Sequence, residues 1–267
     1  MADTFDMNNF ITDHGVRAIM LNDDNDIMWT ITQLTELSIK CESDTKEVTD
    51  ALEAPIMELD RAKKATLSGN NALFDFGLAA AQMGSQKKVA SSSNKIIAPM
   101  FDEIKVGTAE TVKLKHTPTA QIKYIYELRD DSTLGIKYTN GAAADESKFV
   151  HVDKSDTITI PTGLAENSRL FVEYYYETDK GIEVVDSSNK FPTTGKLLLL
   201  VVGYDPCNPE TKYAAYYEFP NAKLTSTNDY TLATDGKHPF EIKCLPPYCD
   251  REKKLFRVIV PGEQFED

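Results

Sequence analysis

The stretch Arg61-Ala62-Lys63-Lys64-Ala65-Thr66-Leu67-Ser68-Gly69-Asn70-Asn71-Ala72-Leu73-Phe74-Asp75-Phe76-Gly77-Leu78-Ala79-Ala80-Ala81-Gln82-Met83-Gly84 changes texture twice. Arg61 to Ser68 suits an extended strand, the next residues supply turn chemistry, and residues 72 to 83 are apolar on almost every side. Asn70 or Asn71 is placed to cap a first helical turn and Gly84 to end the last, so the spacing predicts a helix over 72–83. A helix apolar all round buries most of its surface. Free N–H groups at a helix start also attract anions, which raises the question of a phosphate cradle. The glycines answer it. Only Gly69 stands in the turn, the next being Gly77 and Gly84, so neither G-x-x-x-x-G-K-[ST] nor G-x-G-x-x-G occurs. The expected reading is a chain bend at Gly69 followed by a buried helix.

Upstream, Ala18 to Leu21 is a short strand candidate and Asn22-Asp23-Asp24-Asn25-Asp26 a turn. From Ile27 to Cys41 apolar residues fall at 27, 29 and 31 and again at 37, 39 and 41, with Leu34 breaking the parity. That pattern predicts a long strand with a bulge near Leu34. A second extended segment runs from Glu53 to Ser68, with Pro55 near its start, where a strand tolerates it. The two are expected to pair as an antiparallel ribbon, joined by a long polar loop from Glu42 to Asp50.

Downstream, the polar stretch Ser85 to Asn94 reads as an exposed loop that could reach a partner, and strand and turn texture dominates from Thr111. Gln121 to Leu128 alternates, which places Ile122, Tyr124, Tyr126 and Leu128 on one face. Lys148 to Val152, Thr157 to Ile160 and Leu170 to Tyr176 follow as strands, and turn residues at 130–132, 140–141, 161–163 and 179–181 separate them. Such spacing argues for a sandwich or barrel, so residues 111–185 are expected to be an inserted β subdomain within a core formed by 1–110 and 186–267. Lys196 to Val202 is a nearly continuous apolar run that predicts a strand buried on both faces. Tyr213 to Phe219, Phe240 to Cys244 and Leu255 to Val260 add strands, with turns expected at 205–209 and 220–223.

The chemistry on offer is sparse. Cys207, His238, Cys244 and Cys249 have the donor types of a zinc site, although Cys207 lies far from the others in sequence. Small cysteines beside turns are the bland alternative. His14, His116, His151 and His238 accompany no catalytic motif, and no G-x-S-x-G or H-E-x-x-H occurs. Asp23, Asp24 and Asp26 lack the glycine and terminal glutamate of a calcium loop. Tyr174, Tyr175 and Tyr176, with Tyr124 and Tyr126, could form a stacking platform for a sugar or base, but alternation along strands accounts for half of them. No cofactor and no enzymatic activity are expected.

Composition narrows the partners. The 267 residues carry 42 acidic against 29 basic side chains, a formal net charge of −13. Most of the surface should repel polyanions, which argues against tight nucleic-acid binding. No apolar run approaches the roughly 18 residues that cross a bilayer. The acidic start, Met1 to Asp6, lacks the basic and apolar regions of a signal peptide. Synthesis and folding in a cytoplasm are expected, with the four cysteines kept as thiols.

The order of features carries more than any motif. A ribbon is followed by Lys64-Ala65-Thr66-Leu67-Ser68-Gly69-Asn70-Asn71-Ala72-Leu73-Phe74, a helix to Gly84 and an inserted strand-rich segment. The chain then ends with Val202-Gly203-Tyr204-Asp205-Pro206-Cys207, Ala222-Lys223-Leu224, Lys237-His238-Pro239-Phe240-Glu241-Ile242 and Leu255-Phe256-Arg257-Val258-Ile259-Val260. From about 17 to 260 this resembles the tail tube (major tail) proteins of tailed bacteriophages. The resemblance implies a mainly β fold of barrel or sandwich type with one buried helix, in a virion protein whose sheets join edge to edge in a ring, usually a hexamer. Stacked rings then form a hollow tube for DNA ejection. The implied partners are copies of the chain, other tail proteins such as a sheath or terminator, and DNA transiently in the lumen. The assembly candidates are Trp29, Ile31, Leu37, Ile39, Ile56, Leu59, Leu67, Leu73, Phe74 and Phe76, with the 42–53 loop contacting the next ring. A capsid decoration protein would share the β texture, and a carbohydrate-binding module would need an exposed aromatic groove.

Overall fold

The computed structural model describes residue 5 and residues 7–227, 229–247 and 251–265. In chain order the strands are β1 (Ile11–Leu21), β2 (Ile27–Ile31), β3 (Leu34–Thr49) and β4 (Pro55–Asn71), then helix α1 (Phe76–Gln82). β5 (Lys88–Val89), β6 (Ile96–Lys105), β7 (Thr111–Lys113), β8 (Tyr124–Leu128), β9 (Leu134–Asn140), β10 (Lys148–His151), β11 (Thr157–Thr159), β12 (Arg169–Thr178) and β13 (Ile182–Glu183) follow. β14 (Thr194–Asp205), β15 (Asn208–Leu224), β16 (His238–Cys244) and β17 (Arg257–Ile259) complete the mainly β fold. The chain divides into two compact units, Met1–Lys87 with Val184–Asp267, and Lys88–Glu183.

The first unit is one sheet in the order β2-β1-β14-β15-β16-β4-β3, with β17 added beside β15. Its two edge strands, β2 and β3, are separated by only residues 32–33, so the sheet curls back on itself. The inward side chains make the core: Met20, Trp29, Ile31, Leu67, Leu197, Leu199, Phe219 and Ile242 are buried together, with Leu78 of α1 against them. Glu218 accepts from Lys196 at 2.6 Å and from Arg257, which ties β17 to the sheet. Those two cations hold the Glu218 carboxyl below its ordinary range.

Several expectations need correction here. Gly69 does not bend the chain, because β4 runs on to Asn71. A Cβ at Gly69 would lie 2.8 Å from Leu37 and 2.9 Å from Phe240, so the glycine admits two core side chains rather than a turn. Helix α1 begins at Phe76, and its cap is Asp75, whose Oδ1 accepts from Leu78 N–H at 2.7 Å. Asn71 instead accepts from Gln33 N–H and donates to the Leu73 carbonyl, holding the bend before the helix. Gly84 does end the helix: its φ is +62°, and Ser85 N–H reaches back to the Ala80 carbonyl at 2.8 Å.

The expected strand over 27–41 breaks at residues 32–33, and the irregularity lies just beyond Leu34. There Glu36, at φ +56°, and Leu37 together face Gly69. Residues 220–223 are not a turn. Pro220 stays within β15, where it and Asn221 sit opposite Lys196 in a bulge that leaves no ladder position for its missing N–H. In β14 the odd positions 197, 199 and 201 are buried, while Leu198 and Leu200 on the other face are half-buried.

The second unit is a seven-stranded sheet in the order β6-β12-β8-β9-β10-β11-β7 around Ile125, Tyr138, Phe149, Ile158, Leu170 and Val172. It begins at Lys88 rather than near 111, because β6 pairs with β12 along ten positions. Its first and last strands, β5 and β13, pair with each other, with Lys88 and Glu183 bridged at 3.3 Å. The expected loop at 85–94 therefore contains β5. Of the expected face Ile122 and Leu128 are buried, but between them Ile125 points inward in place of Tyr124 and Tyr126, because the register shifts between Tyr126 and Leu128 and changes the parity.

Candidate assembly surface

β3 and β4 pair antiparallel from Leu34–Asn71 at one end to Thr49–Pro55 at the other. Only the half near Asn71 belongs to the sheet, since β16 covers β4 from Ala65 to Asn71. From Glu42 to Thr49 and from Pro55 to Lys64 every side chain is exposed, so among the described residues nothing covers either face or pairs with either edge of this half, which is a free ribbon. Eight residues of strand at about 3.3 Å each carry it roughly 26 Å past the sheet. The expected loop over 42–53 is thus largely strand. Its sequence lacks apolar alternation because neither face is buried, which is the only condition that imposes one.

The apex is short. Asp50 Oδ1 accepts from Leu52 N–H at 2.8 Å and Ala54 N–H at 2.9 Å, and Glu53 takes a φ of +63°. On the shaft Asp44 pairs with Lys64 at 2.7 Å and holds its ammonium above the ordinary lysine range. Exposed apolar side chains gather near the tip: Leu52 is 88% and Ile56 65% accessible, with Val48, Met57 and Leu59 beside them. Glu47 and Glu58 stand directly opposite each other. An isolated two-stranded ribbon is marginal in water, and open strand edges invite pairing. The arrangement is suited to docking on another protein surface.

A second exposed patch surrounds the start of α1, where Leu73, Phe74 and Phe76 face solvent. Phe74 stacks on His238 at 4.7 Å and meets Phe76 and Tyr230 edge-on. Below it His238 is fully buried. Asp75 N–H donates to its Nδ1 at 3.1 Å, so the proton sits on Nε2, which donates to Gln82 Oε1 at 2.8 Å. Tyr230 O–H donates to the same Gln82 oxygen, and Gln82 Nε2 donates to the Pro239 carbonyl. Burial holds His238 below the ordinary histidine range. The polar atoms of His238, Gln82 and Tyr230 thus all have partners, and the cluster orders the patch above it.

The sequence-selected assembly residues divide accordingly. Ile56 and Leu59 lie on the free ribbon, and Leu73, Phe74 and Phe76 on the aromatic patch. Leu37 and Ile39 are partly buried against the core, while Trp29, Ile31 and Leu67 are inside it and present no surface. Val48, Leu52 and Met57 were missed. Their signal was an apolar residue, such as Leu52, standing among carboxylates with no buried face to explain it.

The zinc set does not assemble. His238 and Cys244 lie at opposite ends of β16, roughly 20 Å apart along the strand. Both His238 nitrogens are engaged, and Cys207 lies in the turn between β14 and β15. Cys249 lies outside the described residues. Among the described residues no group of three or more His, Cys, Asp or Glu side chains could hold a metal ion. Asp24 and Asp26 instead donate their N–H groups to Asn22 Oδ1, forming a turn. The tyrosines do not share a platform. Tyr174 is buried and Tyr175 exposed, Tyr176 stacks on His116, and Tyr124 lies under the Lys137 ammonium. His151 is buried, accepting from Ile122 N–H through Nδ1 and facing the Ser155 carbonyl through Nε2. His14 sits at the surface beside Asp13. Among the described residues no helix is long and apolar enough to cross a membrane.

Compared with known proteins, residues 9–258 match the model of the YomU/Tube protein family. No curated protein matches the chain. Since the match runs through nearly the whole sequence, the chain belongs to the YomU/Tube protein family.

Proposed function

We propose that this protein is a non-catalytic virion protein of a bacteriophage, which assembles with copies of itself into rings that stack as a tail tube and conduct DNA during ejection. The observation that carries the reading is the free ribbon of β3 and β4, with both faces and both edges open and an apolar tip. A projection of this kind becomes stable when a neighbouring copy covers it, and a contact between two different patches of identical chains propagates into rings or stacks. The family description, which names a tube protein, supports the same reading. So does the net charge of −13, since an acidic wall does not retain a polyanion. The copies are its principal partners, the ring is the hexamer usual for tail tube proteins, and the mature location is the virion tail.

Negative-stain microscopy and sedimentation of the purified chain over a concentration series test this. Rings or tubes that increase with concentration are expected. Monomers at every concentration and salt would overturn it.

A further inference from the structure

Lys223 and Lys243 stand directly opposite each other on β15 and β16. Like charges at opposed positions of paired strands repel, and among the described residues neither lysine is in an ion pair. They line an open groove of ≈ 520 Å³ together with Phe191, Leu245, Thr225 and a single carboxylate, Glu241. Phe191 and Leu245 are exposed apolar side chains there. The groove sits at the foot of the ribbon, because Cys244, next to Lys243, faces Ala65, the last residue of β4 before the ribbon leaves the sheet.

The ribbon carries the opposite combination. Glu47 and Glu58 form its own opposed like-charge pair. Ile56, two residues along from Glu58 at the irregular step of the ladder between Met57 and Pro55, is exposed, and Leu52 stands at the apex. From Glu42 to Lys64 there are seven carboxylates against four cations. Opposed residues on paired strands lie about 5 Å apart in both places, so a pair of carboxylates can meet a pair of ammonium groups at matching spacing. The ribbon leads away from its own foot and cannot turn back into its own groove. The occupant therefore comes from another molecule.

We propose that the ribbon tip of one copy docks in the Lys223/Lys243 groove of a second copy, with Glu47 and Glu58 on the lysines and Ile56 and Leu52 against Phe191 and Leu245. This rests on the self-assembly reading above and adds to it the receiving surface. The contact is heterologous, tip to foot, so each copy both gives a ribbon and receives one.

Charge reversal in the full-length chain tests it by sedimentation velocity and negative stain. Lys223→Glu with Lys243→Glu, and separately Glu47→Lys with Glu58→Lys, should each raise the concentration for half-assembly by about tenfold or more. The four changes combined should return it to within about threefold of wild type. An equimolar mixture of the two double variants should also co-assemble, since each supplies the ribbon that the other's groove accepts. If a reversed chain fails to melt like wild type, Lys223→Gln with Lys243→Gln takes its place and should still weaken assembly. Wild-type assembly with unaffected double variants, or loss that the combined variant does not restore, overturns the docking site alone. A wild type that stays monomeric overturns both it and the self-assembly reading.

Discussion

Replacing Leu52 and Ile56 together by serine should separate assembly from folding. Leu52 is 88% and Ile56 65% accessible, so the monomer loses almost no buried area when they are shortened. Surface changes of this kind usually alter stability by no more than about 0.5 kcal/mol. In a docked ribbon the same side chains are removed from water, each contributing about 1.5 to 3 kcal/mol. Part of that is offset by ordering the contact, which leaves a loss of about 3 kcal/mol for the pair, or roughly a hundredfold in the concentration needed for assembly. Leu67→Ala is the contrasting control. Its side chain is fully buried in the core of the first unit, so its removal should cost about 2 to 5 kcal/mol of folding stability. Urea unfolding gives the folding part and sedimentation velocity over a concentration series the assembly part. Unchanged assembly of the Leu52/Ile56 variant would refute the role assigned to the tip. A urea midpoint lowered as far as that of Leu67→Ala would refute the independence of ribbon and fold.

Three further outcomes follow from local geometry. Gly84→Ala should cost at least about 1 to 2 kcal/mol in urea unfolding, because φ is +62° and the new Cβ would overlap the Phe191 backbone; Gly163→Ala, at φ +79° with open space around it, should cost only the backbone strain of about 1 kcal/mol. His238 is buried neutral with its folded value held below 6.5, so the unfolded chain takes up the proton first. Its contribution is complete above about pH 6.5 and declines as pH falls toward the lower folded value, and His238→Asn, which keeps an acceptor for Asp75 N–H, should flatten the stability slope between about pH 7 and pH 5. Equal slopes in the two proteins would count against this. Burial pushes the Cys244 thiol up to about 11, so iodoacetamide at mildly alkaline pH should label exposed Cys41 and Cys207 well before Cys244, as read by peptide mass spectrometry.

What could be read from the sequence depended on whether a buried face imposed a pattern. The apolar run from Leu197 to Val202 signalled its strand because the core takes Leu197, Leu199 and Val201, but the expected burial of both faces is only partial, since Leu198 and Leu200 are half-buried. Gly84 signalled the helix end because a positive φ selects for glycine. The start of the same helix was misplaced, since two asparagines and one aspartate are equally suited to cap it, and only tertiary contacts give Asn71 to Gln33 and the cap to Asp75. Gly69 was misread for a related reason: a glycine that bends a chain and one that admits Leu37 and Phe240 look the same in one dimension. The pairing of Lys223 with Lys243 could not be read at all, because it depends on the register of two strands separated by residues 225–237.

The treatment of the sheet edges gives the ribbon its meaning. Edge β6 of the second unit carries Pro99 in the middle of its length, where a missing N–H interrupts any added ladder. Along β15 the edge left beside β16 is closed by β17, fastened through Arg257 to Glu218. On the free ribbon Pro55 stands only at the apex end of β4, so backbone pairing remains open along the rest of both strands. What guards it is charge: a second ribbon with the same seven carboxylates against four cations would be repelled at the distances of strand pairing. Ribbon-to-ribbon aggregation is thereby disfavoured while the edges stay available to a basic surface. On a chain with net charge −13 such surfaces are scarce, and an opposed lysine pair beside exposed Phe191 and Leu245 is one of them. The like charges that each surface would have to separate if left alone are neutralised only when the two meet. Specificity for the correct neighbour and restraint against the wrong one thus arise from the same side chains.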